Sequence, residues 1–586
     1  MDTTMIEAGL DRRKADLVIK NGSLVNVLTE EVYPADVAIY GSRIAAVGNV
    51  SNYIGHGTKI LDADQKYLVP GLIDGHIHVE CSKLSITMFA KAVLAYGTTS
   101  IISGLDQIFV VAGLEGVRDF LDESKLTPLK IFWGAPCKLP YTIPPSTVAH
   151  NFLPRHHRIG QSWPECVGIW ETVKEFVLEH DESVHSAIKL AAEHRLLTFG
   201  CAPMTQGPAL SGYLCAGIRA DHECYSQSET LEKLRNGMWV MLRESSVAHF
   251  LKENIKVITQ DRVASRRVGF CTDDVTAHDI LRDGHLDRLV RLAIQEGVDP
   301  LKAIQLATIN CAELYRIDHL VGSIAPGRTA DILLVDKPET FNVEEVIANG
   351  KFVAANHRTI IDLRPPKRKT RLSRTFRVPL VKTMELEYRT KLPSAHARVL
   401  SMKMSEDVPF VRKRHDVLLR VQKGVIQPDI DQDALYVTVV ERFGKTRHKP
   451  LAFISGFKLQ GGAMASSASP DDNNILCIGT TSGDMACAIN HIIRERGGQV
   501  VVSDLKVQEF LPLPIGGIVA DLDPEKMAEQ ESRLDNAARV LGCRFKSPFM
   551  YMIFLSITAI PDYAITDRGL VDCVNLRIIS PILGPG

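Results

Sequence analysis

The chain of 586 residues is predicted to form a parallel α/β barrel, flanked by small antiparallel sheets and followed by a separate α+β unit. Three observations carry this. Apolar runs alternate with helical patterns over positions 70–320. Two β-rich pieces bracket that middle. A stretch rich in Pro, Lys and Arg then separates it from a further mixed region. At roughly 150 residues per domain the length asks for more than one core.

In the first piece, Ala15-Asp16-Leu17-Val18-Ile19-Lys20 runs into Asn21-Gly22, a strong turn signal, and Val37–Tyr40 and Ile44–Val47 end at Gly41 and Gly48. Asp331–Asp336 and Val346–Val353 have the same character. In the middle, Phe89–Tyr96 predicts a helix stopped by Gly97, followed by a strand over Thr98–Ile102. Leu286–Glu296 predicts an amphipathic helix stopped by Gly297. Such alternation over roughly 250 residues favours a barrel. No GxGxxG follows a strand, which argues against a doubly wound dinucleotide-binding sheet. Past the linker, strands at Tyr436–Val440 and Ile475–Ile478 with helices at Met485–Arg494 and Glu525–Leu541 predict the α+β unit.

Composition narrows the function classes. Lys plus Arg is 68 against 69 for Asp plus Glu, which is not the basic balance of a nucleic-acid binder. The run Lys367-Arg368-Lys369 with Arg371 and Arg374 reads as a solvated linker. Phe549–Ile560 is apolar but interrupted by Ser556 and Thr558, and too short for the ~20 residues of a membrane span, so it is assigned to the core. The N-terminal run Met1–Glu7 is acidic and has no secretory signal. Twelve cysteines without a CxxC pair suit a reducing cytoplasm and buried thiols.

The chemistry concentrates at Val69-Pro70-Gly71-Leu72-Ile73-Asp74-Gly75-His76-Ile77-His78. Residues at i and i+2 of a strand share a face. Both imidazoles can therefore reach one metal ion at the C-terminal mouth of a barrel, where such folds keep their sites.

PGLIDGHIH is similar to the signature of the amidohydrolase superfamily. Ala90–Thr99 (AKAVLAYGTT), Gly217–Cys224 (GIRADHEC), Cys271–Asp274 (CTDD), Asp283–Asp287 (DGHLD), Leu511–Asp521 (LPLPIGGIVAD) and Thr566–Asp572 together resemble the adenine deaminase family. The resemblance implies a (β/α)8 barrel over 70–319, a β-sandwich from 1–69 with 320–365, a linker at 366–384 and a family-specific α+β domain over 385–586. Carried over one position at a time, it implies metal ligands His76 and His78 from the first strand, Glu171 from the fourth, His222 from the sixth and Asp273 from the eighth. It also implies self-association and a nitrogen-heterocycle substrate.

The residues support these positions unequally. His222 is flanked by Asp221 and Glu223, which could orient its ring. Asp273 and Asp274 follow an apolar strand, so one can hold metal while the other is structural. Glu171 reads equally as an ordinary helix-start residue.

The pattern also departs from the family. At the fifth strand a histidine ligand is replaced by Cys201. After the second strand the run is Gly104-Leu105-Asp106-Gln107, without a His and a carboxylate, and Asp106 and Gln107 are candidate substrate contacts. In the last domain Pro470-Asp471-Asp472-Asn473 lacks two histidines, and Cys81 stands where relatives have Ser. The remaining donors suffice for one divalent ion, Zn, Mn or Fe, and leave a second in question.

The expected reaction is hydrolysis at an sp² carbon of a C–N system. Asp273 would act as base then acid, Glu223 or Glu244 would donate to a ring nitrogen, and Arg243 or Ser245 would hold substrate. Release of ammonia would make the chain an aminopurine deaminase. Ring opening would make it a cyclic amidohydrolase, and loss of metal a non-catalytic relative. Among lesser features, His156 and His157 read as a surface or lid loop, Trp163 and Trp170 as core or pocket wall, and His285 as a helix cap or a partner behind the ligands.

Overall fold

Eight short strands pair side by side, all parallel and in chain order: β1 (Leu72–Asp74), β2 (Thr98–Ser103), β3 (Lys130–Pro136), β4 (Cys166–Val173), β5 (Leu197–Cys201), β6 (Ala220–Asp221), β7 (Trp239–Arg243) and β8 (Val268–Cys271). The structure is a computed structural model and describes residues 3–405, 408 and 410–586, so Met1 and Asp2 of the acidic N-terminal run lie outside it. The segment after β1 closes the ring against β8. Gly75 N–H donates to Phe270 O at 3.1 Å, Asp273 N–H to His76 O at 2.9 Å and His78 N–H to Asp273 O at 2.9 Å. Every residue of β2, β7 and β8 is buried, as expected of parallel strands covered on both faces.

Two close approaches explain the glycines of the β1 motif. A Cβ on Gly71 would lie 2.2 Å from Thr99 Oγ1, where the chain crosses into the barrel from the strand Tyr67–Pro70. A Cβ on Gly75 would meet Met241 Sδ at 2.6 Å and Phe270 O at 3.0 Å. Only a residue without a side chain lets the strand turn into the mouth here.

Tyr67–Pro70 belongs to a seven-stranded sheet, where it pairs with Ile332–Val335 and Ser23–Asn26. A four-stranded sheet of Leu17–Lys20, Asp36–Tyr40, Arg43–Gly48 and Lys59–Asp62 packs on it. Between them lie Ile19, Leu24, Val37, Ile39, Leu68, Ile332, Leu334 and Ile347.

The last part of the chain builds a ten-stranded mixed sheet with helices at Ser482–Glu495 and Pro524–Val540. It is joined to the barrel by specific bonds. The buried Lys83, just past His78, pairs with Glu531 at 2.7 Å. Thr147 N–H donates to Asp567 at 2.9 Å and Asn474 to Thr147 O at 3.0 Å. The basic linker, read as solvated, is instead strapped to the barrel. Arg368 pairs with Glu123 and Asp521, Lys369 with Asp119, and Arg371 with Glu115 and Asp119. The cations of a linker gain by lying along the acidic face of the helix Asp106–Ser124. Phe549–Ile560 forms a short helix and turn; beyond being core, it roofs the barrel mouth through Phe554, Ile557, Ala559 and Ile560. Among the described residues no helix is long and apolar enough to cross a membrane.

Candidate metal centre and active site

Three imidazoles and two carboxylates converge where β1, β4, β6 and β8 end. Glu171 Oε1 lies 3.1 Å from His76 Nε2, 3.3 Å from His78 Nε2 and 3.5 Å from His222 Nε2. Asp273 Oδ1 lies 3.6 Å from His76 Nε2 and 3.5 Å from His78 Nε2. His76 stacks between His222, at 3.6 Å between ring centroids, and Trp170, at 3.8 Å, which makes Trp170 a wall for the ligand cluster. Both carboxylates sit on left-handed backbone, with φ 49° at Glu171 and φ 61° at Asp273. Non-glycine residues held this way mark places where the fold stores strain to aim a side chain. That conformation is what separates Glu171 from the helix-start alternative.

The donor set fits a divalent cation. The buried Nε2 of His76 has no hydrogen-bond partner, and burial followed by the charge of His222 lowers its pKa to about 4, keeping the ring in the neutral form a metal requires. Burial would also lower His78, but Asp106 and Glu171 outweigh it and raise it well above the ordinary range. A field that holds a proton there would hold a cation in its place. Three overlapping donor groups result: His76 with His78 and Asp273, His76 with Glu171 and His222, and His222 with Glu223 and Asp273.

Around this cluster the charges are ordered. Arg243 Nη1 donates to Asp273 Oδ2 at 2.6 Å and to Glu223 Oε1 at 2.7 Å. Burial alone would raise Asp273, but Arg243 and then the three imidazoles hold it at about 2. Glu223 is shifted the other way. Burial raises it, Arg243 and His222 oppose, and Asp273 and Glu171 add to the rise. Its Oε2 is buried without a partner, and the residue lines the cavity. Beneath the cluster Asp74 accepts from Thr272 Oγ1 at 2.6 Å, and His285 contacts Thr98 Oγ1 at 2.9 Å and Thr272 Oγ1 at 3.4 Å. The ring of His285 therefore lies behind the ligands and does not cap its helix.

The remaining predicted residues divide between the cavity wall and its surroundings. Asp106, expected against substrate, lines the cavity and also lies 3.2 Å from His78 Nδ1, where it can orient that ring. Gln107 lines the cavity with Nε2 3.7 Å from Cys81 Sγ. Arg243 is engaged by two carboxylates. Glu244 and Ser245 are not brought to the cavity. The Glu244 carboxylate is used by His249 at 2.8 Å, Arg288 at 2.9 Å and Leu251 N–H at 3.2 Å, and the Ser245 hydroxyl accepts from Ala248 N–H at 2.9 Å. Cys201 lines the cavity, but burial and then Glu171, Glu223 and Asp221 push its thiol well above its usual range. It is in none of the three donor groups. His157, read as part of a surface loop, is buried, with Nε2 3.0 Å from Cys137 O. Apolar packing inside the helix Pro154–Gly160 took that position, not solvent. The buried Lys233, with Asp221 at 2.7 Å and Glu229 at 2.6 Å, was missed. A Lys four residues after Glu229 on one helix face was the available signal.

Comparison with known proteins decides the family. Residues 67–353 match the model of the amidohydrolase family and residues 410–577 that of the adenine deaminase C-terminal domain. The chain is 57% identical to adenine deaminase 4 of Rhizobium meliloti (strain 1021), over 98% of this chain and 96% of that protein. It is 54% identical to adenine deaminase 1 of Desulfotalea psychrophila, over 99% and 97%.

The chain belongs to the adenine deaminase family. A more distant adenine deaminase, from Moorella thermoacetica, is 37% identical over 99% of this chain and 98% of its own. As an adenine deaminase family member the chain is an amidohydrolase-type enzyme acting on C–N bonds, with a barrel of eight parallel strands as its framework.

Proposed function

We propose that this chain hydrolyses adenine, releasing the exocyclic amine as ammonia, with the barrel mouth as the site and the C-terminal domain as its roof. One observation carries the reading: a compact imidazole–carboxylate cluster stands beside Glu223, a cavity-lining residue whose Oε2 is buried with no hydrogen-bond partner. His76, His78, Glu171, His222 and Asp273 would hold the divalent ion. Such an ion supplies the Lewis acidity that makes water nucleophilic near neutral pH. The donors are nitrogen and carboxylate oxygen, a set that suits zinc, manganese or iron.

The protein's own groups do the proton work. Glu223, its pKa raised by burial, is the group that passes a proton to the ring nitrogen beside the amino-bearing carbon, making that carbon more electrophilic. Asp273, held ionised by Arg243, takes one proton of the attacking water and passes it to the departing amine, and the hydroxyl proton left on the carbon returns to Glu223 as the C–N bond breaks and the carbonyl forms. Arg243 fixes both carboxylates through the cycle, and Asp106 holds the His78 ring. The free state of all twelve cysteines supports a reducing, cytoplasmic compartment. The proposal includes self-association, which light scattering reads.

The test is ammonia release from adenine, against a panel of cyclic amides, by metal-loaded protein. Turnover of adenine is the expected result. Hydrolysis of a cyclic amide with none of adenine would overturn the proposal.

A further inference from the structure

Two polar groups on the cavity wall are unused by this mechanism. Tyr141 follows β3, is 4% exposed and has a hydroxyl without a hydrogen-bond partner. Asp471 comes from the C-terminal domain, in the loop before the strand Ile475–Gly479. Both line the cavity that holds His78, Glu171 and Glu223. They share that cavity with Asp106 and Glu171. Burial, then Asp106 and Glu171, also push the Asp471 carboxyl well above its ordinary range. Asp106 is committed to His78, which leaves Asp471 as the carboxyl on this side available to a ligand.

Their position in the ring of strands gives them a direction. Glu223 and Arg243 stand at the ends of β6 and β7, whereas Asp106 and Tyr141 follow β2 and β3, across the barrel mouth. In adenine the amino-bearing C6 lies between N1 on one side and C5 with N7 on the other. With C6 over the ligand cluster and N1 at Glu223, N7 points to the Tyr141 and Asp471 wall. The free base can carry its imidazole proton on N7. A purine substituted at N9 cannot, and offers only a lone pair there.

Resting on the reading of this site as an adenine deaminase centre, we propose that Asp471 is a specificity-determining residue. Its carboxyl accepts a hydrogen bond from N7–H of the bound base, with the unpartnered Tyr141 hydroxyl on the same wall free to donate to that carboxyl once the base is bound, so the site selects free adenine over N9-substituted adenines. The C-terminal domain thereby completes the substrate pocket as well as covering it.

The experiment compares KM for adenine with the inhibition constant of 9-methyladenine, in wild type and in Asp471→Ala, Asp471→Asn and Tyr141→Phe. Metal content and circular dichroism are measured on each. Losing a hydrogen bond to a carboxyl should raise KM for adenine by about tenfold or more and leave 9-methyladenine binding unchanged, so selectivity collapses. Asp471→Asn, which keeps an acceptor oxygen, should recover part of it, and Tyr141→Phe should lose part of it. The near-isosteric Asn and Phe variants read the same ratio should the Ala variant not fold. Selectivity equal to wild type, or a fall in kcat with KM unmoved, overturns the proposal. A wild-type protein that releases no ammonia from adenine would instead sink the functional reading beneath it.

Discussion

At the scale of single residues, the proposed mechanism divides the proton work between Glu223 and Asp273 because Arg243 touches both yet burial wins at only one of them. Replacing Glu223 by Gln removes the donated proton and keeps the shape. The account expects kcat for ammonia release to fall by about a hundredfold or more with bound metal retained, read by steady-state assay and element analysis together. Cys201 gives a second expectation. Its thiol is crowded by carboxylates and lies in none of the three donor groups, so Cys201→Ala should keep the wild-type metal content. Loss of metal in that variant would make the thiol a ligand. The His-x-His pair was legible because strand periodicity alone puts both rings on one face. Glu223 and Glu244 were not separable by motif, yet alternation could have separated the second: Arg243 points into the mouth, so the next residue of the same strand faces away. Asp471 stood out only as part of a run that lacks two histidines, since nothing local says that a loop nearly four hundred residues after β1 returns over its mouth.

At the scale of elements, the 3-10 turn after His78 is tied to the helix Pro524–Val540 by Lys83 and Glu531, both buried. Removing one partner leaves a buried charge uncompensated, which typically costs about 3–5 kcal/mol. Glu531→Gln should therefore lower the melting temperature and loosen metal retention, since the turn that Lys83 closes starts from His78. Melting and metal content unaltered from wild type would show the link to be dispensable. The strands and helices of the barrel were readable from apolar runs and glycine stops. The reach of the basic linker was not. Its ion pairs with Glu115, Asp119 and Glu123 join segments about 250 positions apart, and charge composition reports the sign of a segment without its partner.

At the scale of the whole molecule, burial of neutral histidines sets a pH dependence. Desolvation lowers His157 to about 4 and His285 to about 3, from the ordinary ~6.5. Because the folded values are depressed, the unfolded chain takes up protons that the folded chain refuses. The stability these residues contribute is complete above ~6.5 and is lost progressively as pH falls from there to their folded values, at up to about 1.4 kcal/mol per pH unit for each. Thermal melts should fall from pH 7 to pH 5, and less steeply in His157→Gln. A melting temperature independent of pH over that interval would contradict the burial argument.

The central claim is that the buried imidazoles and carboxylates at the barrel mouth grip a divalent ion. The most direct test is the metal stoichiometry of purified wild type and His78→Ala, grown with metal supplied and prepared side by side. The account predicts about one or more divalent ions per wild-type chain and almost none in the variant. A wild-type chain essentially free of metal, or a variant that holds as much as the parent, would contradict it.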